Sequence, residues 1–170
     1  MTGFIALLRA VNVGGTGKLA MSDLKALCED AGFESVKTYI QSGNVVFASK
    51  LGEAKIKAAL EAALTDHMGK PAHVIVRSAR EMEALLKANP FADQPGNQVL
   101  AHLLDKPPAK NALAGIEGPD GEEVVAKGRE VFVFYPNGQG RSKLKLPLAK
   151  ESTSRNMNTL AKLAEMAGEI

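Results

Sequence analysis

The residue pattern predicts an α+β fold, and three observations carry that expectation. Short runs rich in Val, Ile and Leu end at glycines, as buried strands do. Longer segments repeat apolar residues at helical spacing. In the first half these two kinds of segment follow one another as strand, helix, strand, strand, helix, strand.

Each element has its own signal. Phe4 to Val13 is an apolar run closed by Gly14-Gly15, and reads as the first strand. Ser22 reads as an N-cap, with Asp23 at the positive end of a helix carrying Leu24, Leu27, Cys28 and Ala31. Gly32 suits the left-handed close of that helix. Val36, Thr38 and Ile40 alternate with Lys37 and Tyr39, giving a second strand. Gln41-Ser42-Gly43 reads as a turn into a third strand over Val45 to Ala48, so the pair forms a hairpin. Gly52 to Met68 carries Ile56, Ala59, Leu60, Ala63 and Leu64 on one helical face, with Gly69 and Pro71 as its stop. Ala72 to Arg77 is the fourth strand. This βαββαβ order is the split βαβ, ferredoxin-like pattern, which places both helices on one face of a four-stranded antiparallel sheet.

The second half is less regular. Ser78 and Glu81 form a capping box before a helix with Met82, Leu85 and Leu86, stopped at Asn89-Pro90. Val99 to Leu104 reads as a strand, and Pro107-Pro108 precedes a short helical turn near Lys110 to Leu113. Glu123 to Ala126 and Val131 to Tyr135 read as a hairpin. The last helix is expected after Thr153, which would cap it, and carries Met157, Leu160, Leu163 and Met166. The spacing predicts domains over 1–77 and 78–170, with no linker between them, no internal repeat and no low-complexity tract.

Bulk properties exclude several classes of function. A chain of 170 residues buries roughly 70% of its unfolded surface and needs neither disulfide nor metal for a core. The net charge of +2 is too mild to argue for nucleic acid by itself. A single cysteine, Cys28, forbids an internal disulfide and fits a reducing compartment. The Phe4–Leu8 run lacks the basic lead and cleavage pattern of a signal peptide, and no run approaches the ~18 apolar residues of a membrane helix. These features point to a cytoplasmic protein with no membrane partner.

Familiar chemical motifs fail on context. Gly15-Thr16-Gly17-Lys18-Leu19-Ala20 matches G-x-G-x-x-G/A in letters, but a hairpin follows its helix and no acid ends the second strand. A Walker loop would need Gly at Asn12 and Ser or Thr at Leu19. His67, His73 and His102 are not at metal-ligand spacing, so no metal and no cofactor are expected. Cys28 lies on the apolar face of its helix and reads as core. The stretch from Gly140 to Asn158 stands out, with Arg141, Lys143, Lys145, Lys150 and Arg155 against one acid, Glu151. With the helix starting after Thr153, Arg155 would oppose the helix dipole, as residues beside an anion site do.

The same residues carry a family resemblance. Leu8 to Gly15, Thr38 to Val45, Ser142-Lys143-Leu144 and Thr153 to Thr159 resemble the signatures of a bacterial family catalogued as domain of unknown function 1697. The resemblance spans essentially the whole chain. Met157 departs from it, standing where the family often has Trp. The resemblance implies two α-β plait domains and no assigned activity. It carries over Arg9, Asn12, Gly14, Lys18, Gln41, Ser42, Asn44, Ser142, Lys143, Thr153, Arg155, Asn156 and Thr159 as positions of interest.

Most of these are polar or basic and sit at strand ends or in loops. The expected site is a cleft between the two halves, lined by Arg9, Asn12, Lys18, Gln41, Ser42, Asn44, Ser142, Lys143, Arg155 and Asn156. Its expected occupant is an anion with hydrogen-bonding edges, such as a nucleotide or an RNA segment. Two alternatives stand beside it. One is an enzyme acting on a small anionic metabolite, for which no acid–base pair is evident. The other is a set of motifs that fix turns, caps and the domain contact.

Overall fold

The computed structural model describes residues 1–9, 18–40, 43–113, 116, 118, 120–148 and 151–170. Among these the chain is mixed α+β, with two four-stranded antiparallel sheets and four α-helices. Its contacts divide it into two compact units. One is Met1–Glu83 with Lys162–Ile170, and the other is Ala84–Ala161.

The first unit begins β1 (Thr2–Leu8), α1 (Met21–Asp30), β2 (Glu34–Tyr39), β3 (Asn44–Ser49), α2 (Glu53–Met68) and β4 (Val74–Ser78). Its sheet runs β2-β3-β1-β4. Strand alternation sends Phe4, Ala6, Leu8, Val45, Phe47, Val74 and Val76 to one face, where they form one core with Leu24, Cys28, Ile56, Leu60 and Leu64 of the two helices. The aromatic stack of that core is Phe33 on Phe47, with ring centroids 4.4 Å apart. The opposite face is also buried, with Ile5, Leu7, Val46, Ile75 and the whole of Arg77. There Gly3 is required by close approach: a Cβ would stand 2.7 Å from the Ala167 carbonyl oxygen.

Local signals explain most boundaries. Gly32 (φ 91°) closes α1, with its N–H on the Glu29 carbonyl, and Gly69 (φ 71°) closes α2. The cap of α1 differs from expectation. The helix starts at Met21 behind Ala20, with no side-chain cap, and Ser22 lies inside it. The first strand is Thr2–Leu8, and residues 10–13 of the expected run lie outside the described residues.

The remaining elements are α3 (Ala79–Ala88), β5 (Val99–Leu103), β6 (Glu123–Lys127), β7 (Glu130–Phe134), β8 (Thr153–Asn156) and α4 (Met157–Gly168). The Ser78–Glu81 capping box is made in both directions, at 2.9 and 3.1 Å. Lys110 to Leu113 forms a turn, with the Ala112 N–H on the Ala109 carbonyl. The largest correction is β8. Thr153 does not cap the last helix; it pairs with Leu103 in the second sheet. The cap is Asn156, whose Oδ1 accepts the Thr159 N–H at 2.9 Å. Arg155 therefore lies in a strand opposite Ala101, and no longer opposes a helix dipole.

The second sheet runs β6-β7-β5-β8, the order of the first sheet with each strand advanced by four. No repeat is legible in the sequence, yet the registers correspond. Leu8 N–H bonds the Gly43 carbonyl, as Leu104 N–H bonds that of Arg129. Ile5 faces Arg77, as Ala101 faces Arg155. Each of these arginines donates Nη1 to the carbonyl of the residue before it, at 3.0 Å from Arg77 and 2.8 Å from Arg155. Each is followed by the capping residue of a helix, Ser78 or Asn156. The difference is in the crossovers. Helices α1 and α2 fill them in the first unit; in the second, the described residues between β5 and β6 and between β7 and β8 form no α-helix.

Candidate functional site

The candidate residues fall into two groups, one in each unit. In the first unit, Asn12, Gln41 and Ser42 lie outside the described residues. Arg9 follows the end of β1, and its backbone N–H bonds the His73 carbonyl at 3.1 Å. Leu8 N–H bonds the Gly43 carbonyl at 2.8 Å, so the exit of β1, the β2–β3 turn and the start of β4 meet at one rim of the sheet. Asn44 is at that rim, opposite Leu7 and Tyr39. It is fully buried, and its Nδ2 donates to the Tyr39 carbonyl at 3.0 Å, closing the hairpin. Lys18 is exposed just before α1.

The rim holds further charges that sequence reasoning did not single out. Lys57 Nζ donates to the Glu61 carboxylate at 3.0 Å and to the Val74 carbonyl. Glu61 also accepts the Val74 N–H at 3.0 Å, and His73 Nδ1 lies 3.9 Å from it. Val74 is the register partner of Leu8. Arg9, Lys57 and His73 thus share one end of the sheet with the Glu61 carboxylate, which is tied to backbone. The i, i+4 spacing of Lys57 and Glu61 was the available signal.

In the second unit the candidates are held by structural bonds. Ser142 Oγ donates to Glu122 at 2.6 Å and accepts the Leu144 N–H at 3.1 Å. The Ser142 hydroxyl holds the Glu122 carboxyl below its usual range against the opposing push of burial, helped by the Asp120 N–H. Lys143 is exposed on an extended segment. There Leu144, Leu146 and Leu148 pack on the sheet core while Lys143 and Lys145 point outward. Asn156 is spent as the α4 cap. Burial lowers the Arg155 guanidinium to about 10, so it stays charged at neutral pH.

One buried polar pair had not been singled out. His102 Nδ1 lies 3.3 Å from Ser152 Oγ, both residues are buried, and His102 Nε2 has no hydrogen-bond partner among the described residues. Burial lowers the imidazole from 6.5 to about 4, so it is neutral at physiological pH. A neutral imidazole beside a hydroxyl is the core of a nucleophile–base pair, but the carboxylate that would orient it is missing from Nε2. The alternation of Leu100, His102 and Leu104 along β5 and just past its end was the signal that this histidine points inward.

Cys28 is buried in the first core, and burial, with the Glu29 charge, pushes its thiol up to about 12. It is not a nucleophile. Phe47 is likewise consumed by core packing. No group of three or more His, Cys, Asp or Glu side chains suited to a metal occurs among the described residues. No helix among them is long and apolar enough to cross a membrane.

Fold and site together define a two-sheet α+β protein with a basic rim at one end of its first sheet. Residues 1–132 match the family described as "Protein of unknown function (DUF1697)", and the chain belongs to that family. No curated protein matches it. Among solved structures it is similar to conserved bacterial protein SP0830 from Streptococcus pneumoniae. That likeness has a TM-score of 0.80 at 24% identity and covers 98% of each chain, which speaks to the fold alone.

Proposed function

We propose that this protein binds a phosphate-bearing ligand, a nucleotide or RNA segment, at the rim where β1, the β2–β3 turn and β4 meet. The observation that carries the reading is the pair of backbone bonds, Leu8 to Gly43 and Arg9 to His73, which bring two signature motifs together beside Lys57. Arg9 is the phosphate-binding group, since a guanidinium presents a planar fork to an oxyanion. Lys18 adds a second cation from the segment leading into α1. The sheet order β2-β3-β1-β4 with both helices on one face supports classing the first unit as ferredoxin-like. The same order in the second supports an α-β plait whose crossover helices are replaced. A single buried thiol suits a cytoplasmic setting.

A second reading is favoured at particular residues. Asn44, Ser142 and Asn156 hold a hairpin, a turn and a helix cap, so these three positions are structural within the binding protein.

The test is titration of ribonucleotides and short RNA at two salt concentrations, with Arg9→Ala as the comparison. Binding that weakens about tenfold or more with both salt and the substitution is expected. Absence of binding at low salt defeats the proposal.

A further inference from the structure

We infer that β6 is the contact strand of a symmetric pair of chains, in which this edge of the second sheet joins the same edge of a second copy, antiparallel and centred on Val125. The inference is independent of the ligand-binding reading above. The strand reads Glu123-Val124-Val125-Ala126-Lys127 and stands at the end of the order β6-β7-β5-β8. Glu123, Ala126 and Lys127 are exposed, and the two valines are half-buried. Successive strand residues point to opposite faces, so a run of consecutive apolar residues belongs to a strand covered on both. β6 has the composition of an internal strand at an edge position.

The main chain of β6 is phased for such a partner. On either side of β7, the Arg129 carbonyl accepts the Leu104 N–H and the Tyr135 N–H bonds the Gln98 carbonyl, so the odd-numbered residues there turn toward β5. Glu130, Phe132 and Phe134 therefore turn toward β6, where they face Lys127, Val125 and Glu123. The N–H and C=O groups of Val124 and Ala126 then point away from β7, out of the sheet. Around a two-fold axis at Val125, Val124 meets Ala126 of the second copy at both ends. Each such pair exchanges two N–H to carbonyl bonds.

The charges select the register and the partner. With the two Val125 residues facing each other, Glu123 lies opposite Lys127 of the second copy at both ends of the contact. Centring on Val124 would set Glu123 against a valine, and centring on Ala126 would set Lys127 against one. Lys127 faces Glu130 across its own hairpin, and its Nζ donates to the Ala88 carbonyl at 2.9 Å. An ammonium has three donors, so a second carboxylate adds to these contacts. Charges on an edge ordinarily repel another strand; here their spacing makes two copies attract. The other edges are unlike β6. β2 carries a register shift beside Ser35 at φ 54°, β4 is buried over Val74–Arg77, and β8 holds Arg155 with no acid. Two short strands make a smaller contact than a standard interface, so the pair forms and separates with concentration.

The experiment is sedimentation equilibrium of the full chain, as wild type, Glu123→Lys, Lys127→Glu, Ala126→Pro, and an equal mixture of the two charge variants. Wild type should pass from one chain to two as its concentration rises. Each charge variant should weaken that association about fivefold or more, because like charges then face each other at both ends. Mixing the two should restore it, since opposite charges meet again at both ends. Ala126→Pro removes an outward N–H and should also weaken the pair. A wild type that stays a single chain up to about 1 mM overturns the inference. So does association that survives undiminished in both charge variants, or a mixture of them that associates no better than either alone.

Discussion

The polar residues inside this protein are settled by what each one touches. His102 is neutral because burial opposes its charge, and that neutrality couples to stability. The unfolded chain binds a proton at this site near 6.5, whereas the folded one does so only at about 4. Between those values the unfolded state holds more protons, so stability falls as pH drops from 6.5 toward 4 and is unaffected by this group above 6.5. At about 1.4 kcal/mol per pH unit the loss approaches ~3 kcal/mol. Urea unfolding at pH 7, 5.5 and 4 should show that loss in wild type and a shallower slope in His102→Leu. Equal slopes would mean that the imidazole is already charged in the fold. Glu122 runs by the opposite logic, because a donated hydroxyl from Ser142 favours its charged form.

Among the elements, the first sheet and its two helices were legible because their signals are local and redundant. Gly32 and Gly69 end helices, and inward residues alternate along β1 and β3. β8 was not legible. Thr153 to Asn156 is a run of four polar residues with no apolar alternation, and its partners lie on β5, far back along the chain. Without them Thr153 looks like a cap, the helix starts too early, and Arg155 acquires a dipole conflict that the fold does not contain. The extended Leu144–Leu148 segment was legible in principle. Its leucines alternate with exposed residues, but the interleaved lysines give it the composition of a basic loop. Of the candidate site, the meeting of β1 and the β2–β3 turn followed from strand order, whereas Lys57, Glu61 and His73 needed the fold. The two helix caps give a quantitative check. Ser78→Ala and Asn156→Ala should each cost about 1 kcal/mol in denaturant unfolding. A negligible cost at Asn156 would free that amide for a ligand role.

For the whole molecule, the first unit is not continuous in sequence, since Lys162–Ile170 belongs with Met1–Glu83. The contact of Gly3 with the Ala167 carbonyl makes this concrete. Gly3→Ala should destabilise by about 1–3 kcal/mol, because the added methyl meets backbone that has to shift. Removal of Lys162–Ile170 should speed amide exchange along Thr2–Leu8, and unchanged protection there would show the tail to be dispensable. The shared strand order has a different kind of consequence. Leu8 corresponds to Leu104, Arg77 to Arg155 and Ser78 to Asn156. The polypeptide thus contains its own control. A substitution made at one position can be repeated at its twin, and any disparity between the two outcomes measures surroundings rather than side-chain chemistry.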